Sequence, residues 1–367
     1  MVWLALSALS AWFIIFSFIH YFIQESIEEP AATENNNSIS VIICARNEER
    51  CIENCLRSIE NQKDLDSTIH VFLVDDNSED KTIQCAISAS KKLPNIRLTV
   101  LNLVDGRGKK ASLKLAIGHV QTDFTLITDA DCELGDQTIR SQMNRLRNSI
   151  AIAAFGPILY SDEGLFSEIL SLENINTQAV SEAFFNLGKP IMANAANMML
   201  TKEGIVRFKN SLSNDMASGD DVFFVHGLTP SEFIVQYQES SSVYTKPEKT
   251  LTELFHQRIR WASKTTKYDS TLAQGFSALI FLLSALTLSV QIYLVWKLAI
   301  GFLIIFTLSK WLIELSFHRS WSLKYSYNHR IFSSFLLSVS YPLWVFIIAV
   351  CSLLGIGFQW KGRLYKR

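Results

Sequence analysis

The chain has 367 residues, with 34 Lys and Arg against 35 Asp and Glu and a formal net charge of −1. Balanced charge provides no reason for a basic face, so no nucleic-acid partner is expected. The six cysteines, at 44, 51, 55, 85, 132 and 351, form no CxxC pair and no Cys/His cluster, which argues against a zinc ribbon or a disulfide framework and fits a reduced, cytosolic soluble part.

Apolar residues are dense at both ends and ordinary in the middle, the distribution of a membrane protein with a soluble core. Residues 3–23 are almost uncharged and long enough, at about 1.5 Å per residue, to cross roughly 30 Å of hydrocarbon. With no basic region ahead of it and an apolar run too long for a signal-peptide core, 1–24 is expected to be an uncleaved transmembrane anchor. Residues 25–37 are polar, acidic and contain Pro30, as in a linker.

A soluble domain is expected over 38–250. SISVIICA (38–45) predicts a first strand, a helical pattern runs from Glu48 to Gln62, and HVFLVDD (70–76) predicts a second strand. A helix over Lys81–Lys92, a strand at 96–103, a helix over Lys109–His119 and a strand at 123–131 follow. Alternation at this spacing predicts a Rossmann-like, mostly parallel α/β sheet, whose ligands bind beyond the carboxyl ends of its strands.

An interfacial stretch is expected at 251–270, membrane segments at 273–296, 298–315 and 331–356 within 271–358, and a basic tail at 359–367. The basic flanks QRIRWASKTTK, HRSWSLKYSYNHR and WKGRLYKR all favour the cytoplasmic side. Three simple crossings cannot place all of them there. Either the last segment, which contains Pro342, is re-entrant or interfacial, or the tail is an exception to the rule; the first is favoured.

Asp129 and Asp131, in Thr128-Asp129-Ala130-Asp131, leave the sheet at the end of an apolar strand. Two carboxylates one residue apart can turn toward one hard cation, Mg²⁺ or Mn²⁺, and leave positions open for a diphosphate. Asp75 and Asp76 end the second strand, where they either cap the next helix or accept hydrogen bonds from a nucleoside. Gly106-Arg107-Gly108-Lys109-Lys110 combines a turn that lets backbone approach an anion with compact positive charge. Lys109 is the lysine assigned to the site, and Lys110 reads nearly as well as part of a solvated face.

The order ARNEE, VDDNSED, GRGKK, TDAD, SGDD and QRIRW, spanning residues 38–261, resembles an inverting family 2 glycosyltransferase of GT-A fold, and WKGRLY resembles the tails of its membrane-bound members. The resemblance implies that Asn47 and Glu48 lie by the nucleotide, Asp76 by the base or ribose, and Lys109 by the uracil or phosphates. It further implies metal ligation by Asp131, with Asp129 either a second ligand or a contact to the donor's ribose or sugar. Asp220 or Asp221 would be the general base, Asp220 favoured, although Gly219 stands where many relatives have Glu. Gln257, Arg260 and Trp261 match QxxRW, with Arg260 at the departing diphosphate and Trp261 a wall for a saccharide; membrane anchoring explains the same two residues. Asn194 and Asn197 fall where relatives face the acceptor.

The function implied is inverting transfer from a UDP- or GDP-linked sugar to a lipid-linked or saccharide acceptor, by an integral protein of the bacterial inner membrane with its catalytic domain cytoplasmic. A processive polysaccharide synthase is the alternative, disfavoured by the few apolar segments. A nucleotidyltransferase would leave SGDD and QRIRW without a role, and an inactive scaffold would show damaged motifs.

Overall fold

The computed structural model describes residues 2–23, 38–63, 68–161, 164–212, 219–235, 237 and 239–365. The linker expected at 25–37 lies outside them, as do Ser218 and the last two residues of the tail. The chain forms two compact units, one α/β (24–159 and 188–246) and one helical (1–23, 160–187 and 247–367).

Helix α1 (Val2–Phe22) opens the helical unit. The α/β unit then runs β1 (Ile39–Ala45), α2 (Ile52–Glu60), β2 (Ile69–Asp75), α3 (Thr82–Ser90), β3 (Ile96–Asn102), α4 (Lys109–Ile117), β4 (Phe124–Asp129), β5 (Glu133–Leu134), α5 (Thr138–Arg147), β6 (Ala153–Phe155) and β7 (Ile158–Tyr160). The chain leaves it for α6 (Leu165–Asn186), then returns with β8 (Met198–Thr201), α7 (Lys202–Ser211), α8 (Asp220–His226), β9 (Phe233–Val235) and β10 (Val243–Thr245).

The main sheet has the order β3-β2-β1-β4-β8-β6-β9. β1 pairs in parallel with β2 and β4, and β2 with β3. β1 and β4 are buried along nearly their whole length, as strands covered on both faces must be, which is why they read as continuous apolar runs. α2 covers the sheet with Ile52, Cys55, Leu56 and Ile59, spaced for one helical face. These residues join Val41, Ile43, Val71, Leu73 and Leu126 in the core. β8 reverses the direction, pairing antiparallel with both β4 and β6. It starts from a 3₁₀ turn, Ala195–Asn197, with Met198 opposite Ile127 near the end of β4, so it can only run back down.

The helical unit adds α9 (Leu251–Ala262), α10 (Thr271–Trp296), α11 (Ile300–Lys324), α12 (Ile331–Leu353) and a hairpin of β11 (Phe358–Trp360) with β12 (Arg363–Tyr365). Four helices, α1, α10, α11 and α12, are long and apolar enough to cross a membrane. α11 extends well past the limit of 315 expected for its segment: Phe317–Lys324 is helical and is partnered by α6. Asn176 Nδ2 meets His318 Nε2 at 3.0 Å, and Lys324 pairs with Glu182. α12 continues through Pro342. Proline has no N–H for the carbonyl four residues back, and that carbonyl, on Ser338, instead accepts from the buried Lys310 Nζ at 2.9 Å. Lys310 also pairs with Glu314 at 2.5 Å, so the buried ammonium is compensated on two sides.

Candidate active site

The loops after β1 and β2 are tied into one platform. Arg46 donates to the carbonyls of Asp76 and Asn77 at 2.8 and 2.7 Å and pairs with Glu79. Asn47 and Asn77 both sit at φ +56°, a left-handed conformation that Asn tolerates better than most residues. Asn47 N–H donates to Ser78 Oγ, and Asn47 Oδ1 accepts from Glu79 N–H at 2.8 Å. Glu48 is buried, and its N–H donates to Thr82 Oγ1 at 2.8 Å. Both predicted nucleotide residues therefore help to shape this platform.

Cys44 stands opposite Asp129, and Ala45 opposite Asp75, so the carboxylates ending β2 and β4 flank β1. Two strand spacings separate them, roughly 10 Å. Asp76 Oδ2 accepts from Gly108 N–H at 3.1 Å and so holds the GRGKK turn. Gly108 has φ +84°, which a side chain would strain, and a Cβ on Gly106 would meet that of Ala111 at 3.0 Å. Asp75 Oδ2 accepts from Ser78 N–H, while its buried Oδ1 has no hydrogen-bond partner among the described residues. Asp75, one of the two carboxylates expected either to cap a helix or to accept from a nucleoside, thus presents an open acceptor.

The turn delivers consecutive lysines to two acidic motifs. Lys109 Nζ pairs with Asp129 Oδ1, and Lys110 Nζ lies 3.4 Å from Asp220 Oδ1. The solvated-face reading of Lys110 is corrected here: its side chain is 14% exposed, because Asp220 draws it inward. The signal was present in the doubled lysine, but nothing local distinguishes a charge that faces water from one that faces a distant carboxylate. Asp131 is exposed and Asp129 partly so, on either side of the buried Ala130.

Gly219, at φ +103°, starts α8 and leaves Asp220 buried at its first position. Burial raises the Asp220 carboxyl above the usual carboxylate range; Lys110 opposes the rise and Asp221 adds to it. Asp221 is engaged differently. Its Oδ2 accepts from Ala195 N–H at 3.2 Å and its Oδ1 from Val222 N–H at 2.8 Å, so it braces the turn before β8.

Asn194 is exposed and caps that turn by accepting from Ala196 N–H. Asn197, expected at the acceptor, is corrected to a structural residue. It is fully buried, its Nδ2 donates to the carbonyls of Pro157 and Ser241 at 2.8 and 2.9 Å, and its Oδ1 accepts from Gln142 Nε2. No donor hydrogen remains for a saccharide. Asn197→Ala should cost about 3–5 kcal/mol, the sum expected for three lost bonds that strand buried partners. Thermal unfolding in detergent would show this as a large drop in Tm.

QRIRW lies on α9 in the helical unit. Thr250 and Glu253 cap this helix reciprocally. Arg258 makes a two-pronged pair with Glu173 of α6 (3.1 and 2.8 Å) and lies over Trp261 with 4.4 Å to the ring centroid. Gln257 bridges Glu248 at 2.9 Å and Arg258. Arg260 lies over Trp360 of the terminal hairpin at 5.2 Å, and His256 Nδ1 accepts from Gln359 N–H at 3.3 Å. The motif's first arginine thus braces the unit, and its second meets the tail.

A family model, glycosyl transferase family 2, matches residues 40–207. A dolichyl-phosphate beta-glucosyltransferase of Trichomonas vaginalis is 31% identical over 130 residues, 32% of this chain and 39% of that protein. A 4,4'-diaponeurosporenoate glycosyltransferase of Staphylococcus haemolyticus is 30% identical over 112 residues, 30% of this chain and 29% of that one. The chain thus spans two fifths or less of the length of these curated relatives. Among solved structures, a mannosyltransferase of Pyrobaculum calidifontis, in complex with GDP-Man and Mn²⁺, superposes with a TM-score of 0.62 at 15% identity, covering 94% of this chain and 97% of that one. Order of motifs, sheet topology and these matches converge: residues 40–207 match the glycosyl transferase family 2 model, and the chain has a GT-A-like, mostly parallel α/β fold.

Proposed function

We propose that the chain transfers a sugar from a UDP- or GDP-linked donor to a lipid-linked or saccharide acceptor at the cytoplasmic face of a bacterial inner membrane, with inversion. One observation carries the reading: consecutive lysines at the start of α4 hold Asp129 of the predicted metal motif and Asp220, a buried carboxylate with a raised pKa. The names of the two relatives, each acting on a lipid, favour a lipid-linked acceptor.

Asp75 Oδ1, buried without a donor, accepts from the nucleoside. The diphosphate then reaches the end of β4, roughly 10 Å away. The residues there fit a divalent cation, Mg²⁺ or Mn²⁺: Asp129 and Asp131, on either side of the buried Ala130, would hold it. Bound there, the ion would supply positive charge against the leaving diphosphate. Asp220 takes the acceptor hydroxyl's proton as its oxygen bonds to the anomeric carbon, while the bond to the diphosphate breaks and its electron pair leaves with the phosphate. Lys109 supplies positive charge at the diphosphate.

α1, α10 and α11 anchor the protein, and α12 lies in the interface, which leaves all three basic flanks cytoplasmic. Polar partners at both ends of α12 support this placement: Glu168 pairs with Arg330 before it, and the hairpin after it packs on α9.

Detergent-solubilised protein, given a panel of nucleotide sugars with Mg²⁺ or Mn²⁺ and a membrane lipid extract, should yield one glycolipid heavier by a single sugar. Mass analysis decides. A ladder of masses would instead mark a polysaccharide synthase, and no transfer or hydrolysis from any donor would refute the proposal.

A further inference from the structure

Inside the helical unit, α1, α6, α10, α11 and α12 enclose a cavity lined by Trp12, Asn176, Phe276, Glu314, His318 and Trp321, among others. Space for the centres of water-sized molecules amounts to about 50 Å³, several times what one water needs. Its polar groups are incompletely matched. Glu314 Oε1 is taken by Lys310, but Oε2 has no partner, although the residue is only 4% exposed. Asn176 Nδ2 meets His318 Nε2, whose other nitrogen contacts Ser334 Oγ at 3.0 Å, and Asn176 Oδ1 is buried without a donor. Trp321 Nε1–H is buried without an acceptor. One cavity therefore presents two open acceptors and one open donor, none of which has a partner among the described residues. Leaving such groups unsatisfied costs about 1–3 kcal/mol each.

The rest of the lining is apolar, and Phe276 and Ile280, a turn apart on α10, keep part of their surface open. α10 is long and apolar enough to cross a membrane, and in that placement the medium at the opening is lipid. Glu314 with Lys310 makes the polar end neutral overall, which disfavours an anionic headgroup. A hydroxyl group donates and accepts at once, so it serves the Trp321 donor and one of the two open acceptors. We propose that this cavity binds the hydroxyl end of an uncharged lipid, its chain leaving past Phe276 and Ile280. The inference is independent of the transferase reading.

Two sources supply such chemistry, isoprenoid alcohols and acylglycerols. Native mass spectrometry of the full chain in detergent, with geranylgeraniol, monooleoylglycerol and the methyl ethers of both as probes, separates them. At least one alcohol should be retained about tenfold more tightly than its ether, and the preferred chain names the source. Asn176→Leu and Trp321→Phe should bring that alcohol down to the level of its ether while leaving ether binding unchanged. Equal retention of alcohols and ethers would reduce the site to apolar packing, and retention of neither would mean that the cavity holds only water; either result overturns the proposal. If a variant fails to fold, the alcohol–ether comparison on the unaltered protein decides.

Discussion

Replacing Asp220 by Asn should lower kcat by about 10²–10⁴-fold while leaving donor binding within a few-fold, the loss expected when a general base is removed without loss of volume. Asp220 is buried, and that burial raises its carboxyl above the usual range, so its proton affinity is closer to what a base at neutral pH needs. The acid must lose its proton before it can act. Activity should therefore fall as pH drops through the raised pKa, and the acid limb of kcat/KM should lie above the ordinary carboxylate range. Lys110 opposes the rise, so Lys110→Ala should move that limb to higher pH. A role confined to packing would lower activity at all pH values without moving the limb. Asp221→Asn should act chiefly through stability, since both oxygens of Asp221 accept backbone N–H groups. If Asp220→Asn retains full kcat and Asp221→Asn loses it, the assignment of the base is reversed.

The second large effect is expected at Asp131. Asp131→Ala should abolish the metal-dependent part of nucleotide affinity, a loss of at least about 10–100-fold in UDP or GDP binding with Mn²⁺ present. Titration calorimetry of both proteins, with and without Mn²⁺, measures it directly. Asp131 is exposed beside a buried Ala130 and takes no part in the core, so the fold should survive the change. Asp129→Ala is a less clean experiment, because it also removes the partner of the partly buried Lys109. Affinity that ignores Mn²⁺ in both unaltered protein and variant would remove the metal from the proposed mechanism.

Three of the strands that carry the site, β1, β2 and β4, were legible because burial on both faces writes itself into sequence as largely apolar runs. β3, only partly buried, was placed by the alternation of strands with helices. β1, β2, β3 and β4 each fall within two residues of their predicted limits. The acidic motifs were legible for a related reason: each follows an apolar strand, where a carboxylate needs an explanation. What was not legible depends on partners far along the chain. Asn197 reads as a polar residue in a small-residue turn, and only Pro157, Ser241 and Gln142 reveal it as a buried brace. Lys110 needed Asp220, and the last two turns of α11 needed α6. Arg258 and Arg260 both lie within three residues of Trp261, yet Glu173 claims one and Trp360 the other.

Helix α6 also sets an order on the making of the protein. Glu168, Glu173 and Glu182 lie along one helix that interrupts the α/β unit, and their cations, Arg330, Arg258 and Lys324, are all encoded later. A ribosome therefore releases three carboxylates destined for low-polarity surroundings before any counter-charge exists. Until α9 and α11 emerge, α6 has no settled place. A fragment ending at 246 would strand all three, the buried Glu168 and Glu182 and the partly buried Glu173 each lacking the cation that offsets its desolvation. Solubility of the globular half is thus tied to the very helices one would remove to obtain it.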